Sequence, residues 1–109
     1  MLEPLLGSRN RERVLMYLYG RDTGYAREIA RYYRSDLNPM LKQLEKLEMG
    51  GVIIAKPAGR TRVYSLNPRY PFLPQLKPLL ERALQFMDET ERTRLMDARR
   101  RPRRSGKPL

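Results

Sequence analysis

Two pairs of breakers, Asn38-Pro39 and Gly50-Gly51, bracket the stretch "MLKQLEKLEM", whose apolar residues recur at helical spacing. Proline has no amide hydrogen and is tolerated only in the first turn of a helix. It also pushes the residue before it out of the helical region. A helix therefore starts between Asp36 and Pro39 and stops at the glycines, with Met40, Leu44 and Leu47 as its core side and Leu37 and Leu41 nearby. Beyond the glycines the chain changes character. "VIIAK" and "TRVYSL" are β-branched and aromatic runs joined by "PAGR", which is a hairpin pattern with Gly59 in the turn and Asn67-Pro68 as the stop.

Two shorter helical patterns precede this unit. Ser8 is a suitable N-cap for "RNRERVLMYLY", in which Val14, Leu15 and Leu18 share a face, and Gly20 suits the left-handed position that ends a helix. "RDTG" has turn chemistry, and Tyr25 belongs to a short extended segment. In "YAREIARYY" the residues Ala26, Ile29, Ala30 and Tyr33 form one stripe, with Arg27, Glu28 and Arg31 facing away. Downstream, one long helical pattern runs from Phe72 to about residue 98. Pro74 fits its first turn, and Pro78 bends it or delays its start to Leu76. Leu76, Leu80, Ala83 and Met87, widened by Leu84, approximate a heptad seam suited to a two-fold contact.

The formal charge is +11 and the isoelectric point about 10.6, which favours a polyanionic partner, nucleic acid first. The excess is uneven: +5 over residues 1–68, zero over 69–98 and +6 over 99–109. The expected organisation is a basic body at 1–68, a C-terminal helix at 69–98 and a disordered basic tail at 99–109. With no Cys and no His, disulfides, Cys/His zinc sites and imidazole catalysis are excluded. No cofactor or metal is expected, and no pair of carboxylates, lysines or tyrosines stands out as a catalytic set, so no enzyme is expected either. No apolar run reaches the ~20 residues of a membrane span. "MLEPLLGSRN" lacks the layout of a secretory signal, so the expected location is cytoplasmic and nucleoid-associated.

The order helix, helix, turn, helix, hairpin, long helix makes the chain mainly α with a β-hairpin, an α+β class. It resembles the winged helix-turn-helix domain of ArsR-like and MarR-like regulators over about residues 5–68. "GYAREIARYY", "LKQLEKLEMGGVI" and "GRTRVYSLNP" carry that resemblance. "LLGSRNRERVLMYL" is also similar to winged-helix modules found beside small nucleotidyltransferases. The ArsR-like resemblance would imply metal sensing through Cys or His ligands, which this chain lacks.

The resemblance implies double-stranded DNA as the partner and a homodimer as the binding unit. A recognition helix at about 36–49 would enter the major groove, where each base pair shows a distinct donor and acceptor pattern, and a wing at about 52–66 would flank it. Asp36, Asn38, Pro39, Lys42 and Gln43 then stand at the helix front as candidate readers. Arg27, Arg34, Lys56, Arg60 and Arg62 are candidate phosphate contacts, with Arg60 at the wing tip also able to enter a minor groove. Asp36 and Asn38 are equally good helix caps, and the sequence does not choose between the two roles. Leu76, Leu80, Ala83, Leu84 and Met87 would hold the dimer. The alternative is a winged-helix interaction module, or an antitoxin-like adaptor for a co-encoded partner such as a nucleotidyltransferase.

Overall fold

The computed structural model describes the backbone of residues 1–100 and the side chains up to Asp97. After a single turn, α1 (Glu3–Leu6), the chain forms α2 (Arg9–Arg21), a short strand β1 (Thr23–Tyr25), α3 (Ala26–Tyr32) and α4 (Leu37–Met49). The hairpin β2 (Ile53–Ala58) and β3 (Thr61–Leu66) comes next, and then α5 (Leu73–Gln85) and α6 (Glu89–Arg100).

The centre of the body is α2. Its N-cap is Ser8, whose hydroxyl accepts from the Arg11 amide at 3.2 Å. Val14 through Leu18 are all buried, so this helix is surrounded rather than laid on a core. It shares one buried core with Ile29 and Ala30 of α3, Met40, Leu44 and Leu47 of α4, Ile53 of β2 and Tyr64 of β3. The three strands are antiparallel in the order β1-β3-β2, with Thr23 opposite Ser65 and Ile53 opposite Leu66. The extended segment at Tyr25 is thus a paired strand, which makes the sheet one strand wider than the hairpin alone. Pro57 sits on β2, an edge strand, where its missing amide breaks no ladder.

Both ends of the α3–α4 pair close in the same way. The Ser35 amide donates to Ala30 O at 2.9 Å and the Arg34 amide to Arg31 O at 3.1 Å, with Arg34 left-handed at φ 53°. At the end of α4 the Val52 amide donates to Leu47 O at 2.9 Å and the Gly51 amide to Glu48 O at 3.0 Å, with Gly51 at φ 79°. These paired bonds satisfy the last carbonyls of each helix. Glycine fills the left-handed position in the second case and arginine in the first.

Four expectations need correction. Gly20 does not end α2; it lies inside the helix and is buried because Leu95 of α6 rests on it. A Cβ there would stand 2.7 Å from Leu95 Cγ. The long C-terminal pattern is two helices, broken at Phe86–Asp88, and α6 turns back to pack on α2. Pro78 lies inside α5 without delaying its start at Leu73. The seam expected to form a dimer is largely consumed within the chain, where α5 packs on α2. Leu80, Ala83 and Leu84 are buried in the chain's own core, and only Leu76 and Met87 keep partial exposure. Of the expected tail, Arg99 and Arg100 close α6 and the remainder lies outside the described residues.

Polar contacts pin both C-terminal helices. The Tyr19 hydroxyl hydrogen-bonds the Glu81 carboxylate of α5. Arg21 Nε donates to Leu95 O at 2.9 Å and its Nη2 to Arg94 O at 3.0 Å. Arg94 in turn lies 4.1 Å from the Tyr32 ring centroid and donates to Tyr32 O at 3.1 Å. The rings of Tyr17, Tyr32 and Tyr33 meet edge to face at 4.8 to 6.5 Å, so one aromatic cluster joins α2, α3 and α6. Burial pushes the Tyr17 hydroxyl up to about 12, and burial raises Tyr33 as well.

Candidate nucleic-acid interface

Met40, Leu44 and Leu47 recur at helical spacing and anchor α4 to the body. The opposite face is left outside: Asn38, Lys42, Glu45 and Met49 succeed one another along it, and Met49 is 90% exposed. The helix begins at Asp36, whose extended backbone (φ −70°, ψ 148°) makes it the N-cap, yet its carboxylate forms no capping hydrogen bond. Asn38 and Pro39 are therefore the second and third residues of α4, both exposed. No acidic residue occupies the first turn, and free amides there favour an anion.

A groove of about 290 Å³ runs beside the front of α4, between it and the hairpin. Leu37 and Leu41 form its floor, and Arg27, Arg60 and Arg62 line it. The tight loop at Gly59-Arg60 puts Arg60 at the hairpin tip, with Gly59 at φ 64° supplying a conformation that side chains resist. Lys56 is exposed on β2, and Arg34 is exposed in the turn leading into α4. Three of the expected phosphate contacts thus share one groove, and the other two stand on its flanking elements.

Two expected residues behave differently. Gln43 does not face outward. It is half-buried toward α2, and its Oε1 accepts from Arg11 Nε at 3.0 Å. Arg62 is in the groove but not free, because Glu48 at the end of α4 holds its guanidinium at 2.6 Å. Contact with Tyr64 and then the Glu48 carboxylate raise its pKa above the ordinary arginine value. Two residues on the outer face, Glu45 and Met49, were not among the expected readers. Their spacing from Lys42 was the available signal.

Among the described residues no cluster of three or more metal-binding side chains occurs, and no helix is long and apolar enough to cross a membrane. No protein-family model matches the chain, and no curated protein matches it in sequence. Solved structures do match. A double mutant of Lactococcus lactis ZitR superposes with a TM-score of 0.54 at 22% identity, over 77% of this chain and 65% of that one. The same mutant in apo form gives a TM-score of 0.52 at 20% identity, over 83% of each chain. The chain has a winged-helix fold. In its terms α4 is the helix before the wing, and β2–β3 is the wing.

Proposed function

We propose that this chain is a transcriptional regulator that binds double-stranded DNA sequence-specifically as a homodimer. The observation that carries the reading is the groove in which Arg27, Arg60 and Arg62 flank the front of α4. A helix of this kind fits the major groove, with its first turns toward base edges and its neighbours toward the backbone. Asn38 presents an amide able to pair bidentately with adenine, and Lys42 an ammonium suited to guanine O6 and N7. Arg27, Arg34, Lys56 and Arg60 take phosphates, which gives affinity and register without sequence information. The winged-helix likeness and the formal charge of +11 support the same partner. Nothing in this reading calls for catalysis.

In this reading the two-fold contact does not use Leu80, Ala83 or Leu84. It falls on the end of α5, where Phe86 is 62% exposed beside the partly exposed Met87. Two copies would then meet successive major grooves ~34 Å apart and select a near-palindromic site. The test is selection from random duplex DNA with the wild type, Asn38→Ala and Lys42→Ala. The expected result is a paired half-site motif for the wild type and degraded selectivity for each variant, with nonspecific affinity kept. No enrichment, or the same motif from all three proteins, would reject the reading and leave a winged-helix interaction module.

A further inference from the structure

A second cavity, of about 570 Å³, opens on the other side of α4, between that helix, α1 and the start of α5. Leu5, Leu6, Leu47, Phe72, Leu76 and Leu79 form its walls. Two of these, Leu5 and Phe72, are 68% and 63% exposed at its rim. The volume falls in the range of small-molecule sites, about 300–1,000 Å³. Its charge is one-sided: Arg11 and Lys46 line it, and no carboxylate does. The walls are mainly branched aliphatic rather than a flat aromatic slot, so they suit a flexible alkyl chain. The cations at the edge suit an anionic head.

We propose that this cavity binds an alkyl carboxylate, with the chain in the leucine-lined trough and the carboxylate at Lys46 and Arg11. Arg11 makes occupancy legible to the recognition helix. Its Nη1 donates to Leu6 O at 2.7 Å and its Nε to Gln43 Oε1 at 3.0 Å, so one guanidinium straps α1 to α4 across α2. Lys46 is itself on α4. A carboxylate drawing on both cations competes with Gln43 for Arg11 and alters how the reading helix is held. The binding site stands on the cavity alone. The effect on α4 as a DNA reader rests on the proposed function.

Calorimetric titration of the full chain with dodecanoate, below its micelle concentration, tests the site against acetate and dodecyltrimethylammonium. Saturable one-to-one binding of dodecanoate is expected, with no binding of acetate and none comparable of the cation. Lys46→Glu should weaken dodecanoate about tenfold, the scale of one lost charge-assisted contact, without lowering the thermal midpoint. Equal affinity for the dodecyl cation, or for dodecanoate in Lys46→Glu, overturns the site. DNA affinity measured with and without dodecanoate separates the two proposals. A chain that binds dodecanoate but no duplex keeps the cavity and loses the regulator. One that binds duplex but not dodecanoate does the reverse.

Discussion

The guanidinium of Arg62 on the wing lies 2.6 Å from the carboxylate of Glu48 at the end of α4. Both groups keep contact with solvent, so the pair is worth little to stability. Its larger effect is on charge. One of the groove's three arginines is neutralised from within, and under the proposed DNA-binding role a phosphate at Arg62 must compete with Glu48.

Removing that competitor should strengthen DNA binding. Glu48→Gln is expected to raise affinity for duplex DNA and to steepen the salt dependence by about one phosphate's worth, a slope change near 0.9. Arg62→Ala should cost little in the wild type and should cancel the gain in the Glu48→Gln background. Fluorescence anisotropy across a salt series checks all four proteins. An unchanged slope in Glu48→Gln would mean that Arg62 never reaches a phosphate.

Gly20 is where α6 meets the body, and it should not tolerate a side chain. The 2.7 Å approach to Leu95 Cγ leaves no room for a methyl group, so Gly20→Ala must displace Leu95 or shift α6. The expected cost is about 1–3 kcal/mol, the usual penalty of overpacking. Leu95→Ala creates a cavity alone but relieves the clash, so the double variant should be more stable than the sum of the single losses. Urea denaturation of the three variants measures the coupling.

Local chemistry made much of this molecule legible in its sequence. Pro39 places the first turn of α4 and Gly50-Gly51 its end through backbone rules that need no tertiary partner, and Gly59 did the same for the wing tip. The helix nevertheless starts at Leu37, and Asn38 is helical rather than pushed outside it. Other features depended on groups far along the chain. Gly20 fits either a helix end or a close approach, and only Leu95 decides between them. The heptad-like run through Leu80 and Leu84 has the same periodicity whether it meets another copy or the chain's own α2. The break at Phe86–Asp88 carries no glycine or proline to announce it. Gln43 lies one residue from Lys42, about 100° around the helix, and that step turns it from the outer face toward Arg11.

Arg34 occupies a left-handed position that glycine normally takes, at φ 53°. For a side-chain-bearing residue that conformation costs roughly 1–2 kcal/mol. Arg34→Gly should therefore stabilise the fold, by about 1 kcal/mol or less once the greater freedom of glycine in the unfolded chain is counted. The same change removes a candidate phosphate contact. Thermal denaturation should show a higher midpoint while anisotropy shows weaker DNA binding at every sequence. Tighter binding in Arg34→Gly would exclude the phosphate role.

The aromatic cluster sets an alkaline limit. Tyr17 is pushed up to about 12 and Tyr33 is raised by burial, so both are neutral in the fold more persistently than in the unfolded chain, where tyrosine titrates near 10. A raised folded-state value contributes stability that is fully present below pH ~10 and is lost as pH climbs toward the folded value. Denaturation midpoints should hold steady up to about that pH and fall beyond it, with tyrosinate absorbance rising in step with unfolding. Tyr33→Phe should make the fall shallower. A fall of the same slope in that variant would place its origin elsewhere.

Phe86 gives the dimer proposal its sharpest test. It is exposed at the end of α5, with the Arg82 guanidinium stacked 5.2 Å from its ring centroid. A phenylalanine so placed adds little to the chain's own core, whereas a two-fold contact would bury it twice. Phe86→Glu should leave the unfolding free energy of the monomer within about 0.5 kcal/mol, as surface changes do. It should also shift the mass measured by light scattering from two copies to one. Because half-sites on one duplex are bound jointly, the variant should lose most of its preference for a paired site over a single one. A wild type that is monomeric at the concentrations where it binds DNA would remove the dimer from the proposal while leaving α4 and the wing as its reading surface.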